Sequence, residues 1–212
     1  MRRLKLRPNQ HKGKLIVFEG TDGAGKTTLI GLTKNYLLGM QEREILCVKQ
    51  PTDLSRKTKL FQKMMYCKDH ADIDYRAVQL LTMSDRMQHT YEIIEPALQD
   101  GKIVICDRYI YTSLANMLAR GYRKEKWFYE AAKHLIRPNL VFLAYVPPET
   151  AIARIKARPE ESNRHLDEML LHGVAWQFCE MARHEKFCVL DTSQNAEKVF
   201  LSIRRTLQGD IK

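Results

Sequence analysis

The sequence holds no apolar run approaching the ~18 uncharged residues that cross a bilayer, so nothing in it reads as a transmembrane segment. It also holds no C-x-x-C pair. Its five cysteines (Cys47, Cys67, Cys106, Cys179 and Cys188) are odd in number, which argues against a disulfide framework and a thiolate metal site. Cys47 and Cys106 fall in apolar runs and are expected as core thiols, and the set as a whole points to a reducing, cytoplasmic compartment. The seven histidines show no ligand spacing. His165 and His172 stand on one expected helix without a third ligand, so no structural zinc is expected. There is no internal repeat, low-complexity tract or Gly/Ser linker, and 212 residues suit one domain. Acid is missing from residues 1–13, which hold Arg2, Arg3, Lys5, Arg7 and Lys12, half of the net charge of +10. The remainder is only mildly basic, so nucleic acid is not an expected partner. Residues 1–13 lack the apolar core and cleavage site of a secretory signal and read as a solvated basic tail.

What is present is ordinary globular composition, 44% hydrophobic and 28% charged. Short apolar runs recur at Leu15–Phe18, Ile45–Val48, Ile103–Cys106, Leu140–Val146 and Phe187–Leu190. Longer, helix-like stretches separate them: Thr27–Leu38, Tyr75–Gln99 with Pro96 as an expected kink, Glu149–Ala157, Leu166–Arg183 and Ala196–Leu207. Strands apolar on both faces that alternate with helices predict a doubly wound α/β domain over residues 14–212. Between two of the helices lies Arg158-Pro-Glu-Glu-Ser-Asn-Arg164, a charged stretch with no buried face that reads as an exposed loop.

Directly after the first apolar run comes Gly20-Thr21-Asp22-Gly23-Ala24-Gly25-Lys26-Thr27. It fits G-x-x-x-x-G-K-[ST] in the required context of strand, turn and helix. Glycines allow the tight turn that aims successive N–H groups at phosphate oxygens, with the positive end of the following helix behind them. Lys26 supplies a point charge for β- and γ-phosphates, and the Thr27 hydroxyl can ligate Mg²⁺. GTPases, motor ATPases and small-molecule kinases share such a loop, so the reaction has to be read elsewhere.

Val17-Phe18-Glu19-Gly20-Thr21-Asp22-Gly23-Ala24-Gly25-Lys26-Thr27-Thr28 resembles the first motif of the thymidylate kinases. Asp107-Arg108-Tyr109-Ile110-Tyr111-Thr112-Ser113-Leu114-Ala115 resembles that family's Asp-Arg-aromatic motif. Leu80-Leu81 followed by Asp85-Arg86 resembles its central helix, and Lys49-Gln50-Pro51-Thr52 its basic residue before a proline. The resemblance runs from about Lys14 to Leu207. It implies a three-layer P-loop NTPase fold with a central five-stranded parallel sheet and a short lid at about 154–166. It further implies ATP with Mg²⁺ as donor, a homodimer, and transfer of the γ-phosphate to dTMP or a related pyrimidine nucleotide.

By the same resemblance the loop residues Gly20, Asp22, Gly23, Ala24, Gly25, Lys26, Thr27 and Thr28 bind the donor. Thr27 and Asp107 hold the metal, while Lys26, Asp107 and Arg108 act in the transfer. Lys49 holds the acceptor phosphate, Asp22 meets the acceptor sugar's 3′-hydroxyl, Arg86 reads the base, and Arg108 reaches the phosphates. One subtype of the family carries an arginine in the loop where this chain has Gly23, so Arg158 and Arg164 of the lid are the expected arginines, with Arg154 just upstream. Two acceptor-site positions depart from the pattern. Thr82 stands where the family places a base-stacking phenylalanine, and Asn116, followed by Met117, stands where it places an aromatic that crowds the sugar's 2′ position. Tyr75, Tyr109 and Tyr111 are candidate replacements for the stacking. Stacking a base is worth ~1–3 kcal/mol, so a different or modified monophosphate (UMP, dUMP or CMP) stays open as acceptor. A nucleoside kinase needs a carboxylate base where the chain has Lys49-Gln50-Pro51. A non-catalytic nucleotide-binding module is the remaining alternative.

Overall fold

A computed structural model describes residues 2–40, 43–67, 72–159 and 166–210. The order of elements is β1 (Lys14–Glu19), α1 (Lys26–Met40), β2 (Ile45–Lys49), α2 (Asp53–Arg56), α3 (Lys59–Tyr66), α4 (Tyr75–His89), α5 (Glu95–Gln99), β3 (Ile103–Asp107), α6 (Ile110–Ala119), α7 (Lys126–Ala132), β4 (Leu140–Tyr145), α8 (Pro148–Lys156), α9 (Glu168–Glu185), β5 (Cys188–Asp191) and α10 (Ala196–Asp210). The strands form one five-stranded parallel sheet in the order β2-β3-β1-β4-β5. Helices cover both faces, which makes the domain three-layered.

Because successive strand residues point to opposite faces, β1 feeds two cores. Leu15 and Val17 join Val104, Cys106 and Leu143 beneath α4, α6 and α9, while Ile16 and Phe18 join Ile105, Phe142 and the apolar face of α1 and α10. All four residues have no exposed surface. Burial on both faces explains why the runs look uniformly apolar instead of alternating. The edge strand behaves differently. Cys47 on β2, expected as a core thiol, is exposed because β2 is flanked on one side only, whereas Cys106 on β3 is buried.

The stretch expected as one helix over Tyr75–Gln99 divides into α4, a wider π-turn over Thr90–Ile94, and α5. Pro96 lacks the N–H that would bond the carbonyl one turn back and crowds that carbonyl. Widening the preceding turn accommodates it without breaking the helical path.

The expectation of a solvated opening tail is corrected. Leu4 and Leu6 are each 5% exposed and belong to the larger core. The Arg7 backbone donates to Leu135 O (2.9 Å) and accepts from Arg137 N (2.6 Å). Its guanidinium binds both carboxylate oxygens of Glu95 at 2.8 Å, and His11 reaches the same carboxylate at 3.0 Å. Asn9 donates to Asn139 Oδ1 at 2.8 Å, which also accepts from the Leu15 N–H near the start of β1. Leu4 and Leu6 alternate with Arg3, Lys5 and Arg7, so the leucines face inward and the cations outward. Leu4→Ala and Leu6→Ala should each lower the unfolding free energy by about 2–4 kcal/mol in urea titrations. A loss below about 0.5 kcal/mol would restore the solvated tail.

Candidate active site

The turn after β1 is shaped by close backbone approach. Gly20 has φ +135°, and a Cβ there would stand 2.3 Å from the Ala144 carbonyl of β4. Gly23 has φ +78°, and a Cβ would stand 2.4 Å from the carbonyl of Ala151 on α8. Neither position admits a side chain, so the loop backbone alone lies against the neighbouring elements. Lys26 opens α1 and donates to the carbonyls of Gly20 (3.0 Å) and Thr21 (2.7 Å). Burial, reinforced by the Arg108 charge, pulls the Lys26 ammonium down to a pKa of about 7, against the pull of Asp22, Asp107 and Glu19. Thr27 and Thr28 follow, both exposed, and the first turn of α1 holds no acidic residue to offset its positive end.

Parallel pairing places the end of β3 beside this turn, with Phe18 opposite Asp107. Arg108 takes a left-handed backbone, φ +68°, unusual for a side-chain-bearing residue. Four contacts hold it: its N–H donates to Phe18 O (2.9 Å), Nη1 to Gly20 O (2.9 Å) and Thr112 Oγ1 (3.2 Å), and Nη2 to Asp22 Oδ1 (2.5 Å). Burial opposes its charge, but Asp22, Asp107 and Glu19 outweigh that, and the pKa is raised. Glu19, the last residue of β1, has no exposed surface. It accepts from Tyr109 N (2.9 Å), Thr112 N (3.2 Å) and Thr112 Oγ1 (2.5 Å), so a carboxylate from one motif caps the helix that begins in the other. Sequence reasoning assigned Glu19 no role, although an acid closing an otherwise apolar strand was the available signal.

The other half of the site hangs on α4. Arg86 is 1% exposed and donates to Thr82 O (3.1 Å) and Tyr109 O (3.4 Å), while its Nε is buried without a partner among the described residues. Its neighbour Asp85 accepts from Thr52 N (2.8 Å), Thr52 Oγ1 (2.9 Å) and Ser55 N (3.3 Å). Those bonds pin the turn after β2, with Lys49 before it and Arg56 beyond it, against α4. Lys49 lies 3.9 Å from Asp107. The Thr82 hydroxyl donates to Gln79 O (3.3 Å), and the Asn116 amide donates to Thr112 O (2.9 Å), so each is turned onto its own helix. Of the three tyrosines considered for stacking, only Tyr75 lines the cavity. Tyr109 is buried with its hydroxyl on Ile136 O (3.0 Å), and Tyr111 packs edge-on against Phe187. Phe61 of α3, not anticipated from sequence, is the second aromatic in the cavity wall.

A cavity of about 430 Å³ gathers Asp22, Gly23, Gly25, Lys26, Thr27, Thr28, Lys49, Thr82, Arg86, Asp107, Arg108, Asn116 and Arg158 at the carboxyl ends of the strands. Gly20 and Ala24 lie behind the wall as backbone supports, and Ala24 has no exposed surface. Arg164 lies outside the described residues. Arg154, placed at the edge of the expected lid, belongs to the last turn of α8 and donates to Gly23 O (3.3 Å) and Thr192 O (3.0 Å), which ties it to the loop's backbone. A second cavity on the far side of the loop is lined by Arg154, Arg158, Thr192 and Gln194. The first cavity's wall carries seven lysines and arginines against three aspartates, a surplus suited to polyanions.

A parallel sheet whose central strand runs into a phosphate loop, with a buried lysine at the loop and an Asp-Arg pair beside it, defines a P-loop nucleotide-binding protein. The description of one protein family, Thymidylate kinase, matches over residues 18–203. The chain is 40% identical over 150 residues to a probable thymidylate kinase of Pyrococcus horikoshii, covering 69% of this chain and 72% of that one. It is 32% identical over 209 residues to the thymidylate kinase of Oenococcus oeni, covering 95% and 98%. With that of Bacillus licheniformis it shares 29% over 208 residues, covering 94% and 97%. The chain belongs to the thymidylate kinase family and is an ATP-dependent phosphotransferase.

A phosphate arriving at Lys26 favours the charged ammonium and raises its pKa. Triphosphate binding at pH 8 should therefore take up close to one proton, and at pH 6, where Lys26 is already charged, none through this group. Calorimetry in buffers of different ionisation enthalpy measures the uptake; its absence at pH 8 would mean that Lys26 is charged throughout.

Proposed function

We propose that the chain transfers the γ-phosphoryl group of ATP to dTMP, giving ADP and dTDP. The observation that carries this reading is the convergence of the family's motif residues on one cavity, in a chain whose relatives are named thymidylate kinases. The loop backbone and Lys26 hold the donor's β- and γ-phosphates. Arg154 and Thr192 steady the loop from the second cavity, which suits the donor's nucleoside. Lys49 holds the acceptor phosphate, Asp22 meets the 3′-hydroxyl, and Arg86, with its spare Nε–H, reads the base. Phe61 and Tyr75 supply the aromatic surface that Thr82 lacks, and Asn116 flanks the sugar. Arg108 spans the two halves from the Asp22 side, and Arg158, in the walls of both cavities, serves the transferring phosphoryl group.

Asp107 Oδ1 is buried without a hydrogen-bond partner among the described residues, and the Thr27 hydroxyl stands in the first turn of α1. An anionic oxygen plus a hydroxyl is the donor set that Mg²⁺ takes, so these two residues fit as its holders. When bound, Mg²⁺ neutralises charge on the phosphates. The remainder is positioning: cations fixed by carbonyls and carboxylates need no reorganisation as charge shifts during transfer. An ADP-release assay with ATP–Mg²⁺ should show turnover of dTMP far above dUMP, UMP, dCMP and dGMP, with Lys26→Ala slower by about 10²-fold or more. Turnover of another monophosphate in place of dTMP would change the substrate. ATP binding with no turnover of any acceptor would overturn the reading in favour of a binding module.

The chain further forms a homodimer through α4 and the π-turn that follows it. Leu80 and Met87 of α4 and Tyr91 of the π-turn are exposed, Leu80 by 55% and Tyr91 by 73%. Sedimentation should report twice the 24.8 kDa of the chain, and Leu80→Asp with Tyr91→Asp should return it to the monomer. A monomeric wild-type chain would overturn this.

A further inference from the structure

The short helix α2, just beyond the turn after β2, carries a cation in the cavity wall to which the motifs assign no role. We propose that Arg56 grips the acceptor's phosphate as a two-pronged donor, alongside Lys49; the inference rests on the dTMP-kinase reading above. Lys49 is a compact point charge on a side chain that is 56% exposed, and Asp107 already draws on it at 3.9 Å. A guanidinium offers instead a planar fork that matches two phosphate oxygens at once.

Arg56 is held to present that fork. Its Nε donates to Pro51 O at 2.7 Å, which leaves the Nη1–Nη2 edge, and those two nitrogens make no hydrogen bond among the described residues. Its guanidinium carbon stands 5.9 Å from the Phe61 ring centroid. The backbone beneath it is fixed at both ends. Thr52, clamped by Asp85, caps α2 by accepting from Leu54 N (3.1 Å), and Gln62 Nε2 donates to the Arg56 carbonyl (2.6 Å). The acid nearest in sequence, Asp53, is taken by Lys57 at 2.8 Å on the outer side of the turn.

The charges around Arg56 point the same way. Burial and the Arg108 charge weigh against its ionised form, and Asp107, Asp22 and Asp53 favour it without outweighing them. Two guanidiniums thus share the field of Asp22 and Asp107, and a phosphate dianion between them relieves that repulsion.

The test separates a phosphate ligand from a wall residue. Dissociation constants of dTMP and of thymidine, which lacks the phosphate, are measured by calorimetry on the whole chain, wild type and Arg56→Gln, with KM for ATP from steady-state kinetics. Arg56→Gln should weaken dTMP by about 10- to 100-fold, leave thymidine within about twofold, and leave KM for ATP unchanged. Arg56→Lys, which keeps the charge and loses the fork, should fall between, and it carries the same comparison if the glutamine variant does not fold. Equal weakening of dTMP and thymidine, or no weakening of either, overturns the proposal while leaving an active wild type and the dTMP-kinase reading intact. A wild-type chain that neither binds nor phosphorylates dTMP overturns both.

Discussion

Glu19 ends the central strand with its carboxylate wholly buried, and three donors from the start of α6 meet it there. Burial raises its pKa, and the Thr112 bond and the Arg108 charge work against that rise. A buried carboxylate left without donors costs several kcal/mol, so the partners are as necessary to it as it is to them. The consequence is geometric. The phosphate loop starts one residue after Glu19, and the Asp107–Arg108 pair stands one residue before Tyr109, so a single carboxylate sets the loop and the pair at a fixed offset. Arg108 then reaches Gly20 O and Asp22 from a backbone conformation that a side-chain-bearing residue seldom adopts. Strain of that kind persists where surrounding contacts over-determine it, and here they are contacts to the phosphate loop itself.

A second constraint is charge. Seven cations and three aspartates share one cavity wall, and each central cation is fastened by a carbonyl or carboxylate rather than left to water. Lys26 shows the cost, since its ammonium titrates near neutrality. Preorganisation of this sort places the reorganisation cost in folding instead of in the transfer step. The large core under α4, α6 and α9 supports it, and so does the opening segment, which threads Leu4 and Leu6 into that core and fastens Arg7 to Glu95 at the start of α5.

The parts legible from residue order were those set by local rules. The apolar runs found the five strands because strands buried on both faces have no polar register to blur them. The loop motif found Lys26 because phosphate binding there needs glycines, a lysine and a hydroxyl at fixed spacing. The opening segment was misread because five cations in thirteen residues mask two alternating leucines. Cys47 was misread because an edge strand has the same composition as a central one. Glu19 was passed over because its donors on Tyr109 and Thr112 lie far along the chain, and Arg56 and Phe61 because only the assembled sheet brings them into one wall with Arg108.

The sequence by itself determined the fold class, the phosphate loop and the family, since these rest on periodicity and on motifs a few residues long, where chain connectivity supplies the geometry. Tertiary structure alone decided which side chains share the cavity: that Tyr75 lines it while Tyr109 and Tyr111 are core, that Arg154 braces the loop, and that Arg56 comes to stand with Lys49 and Arg108. The reason is that parallel strands joined by crossover helices bring residues dozens of positions apart to one sheet edge, and the burial and charge that follow exist only once the sheet is assembled.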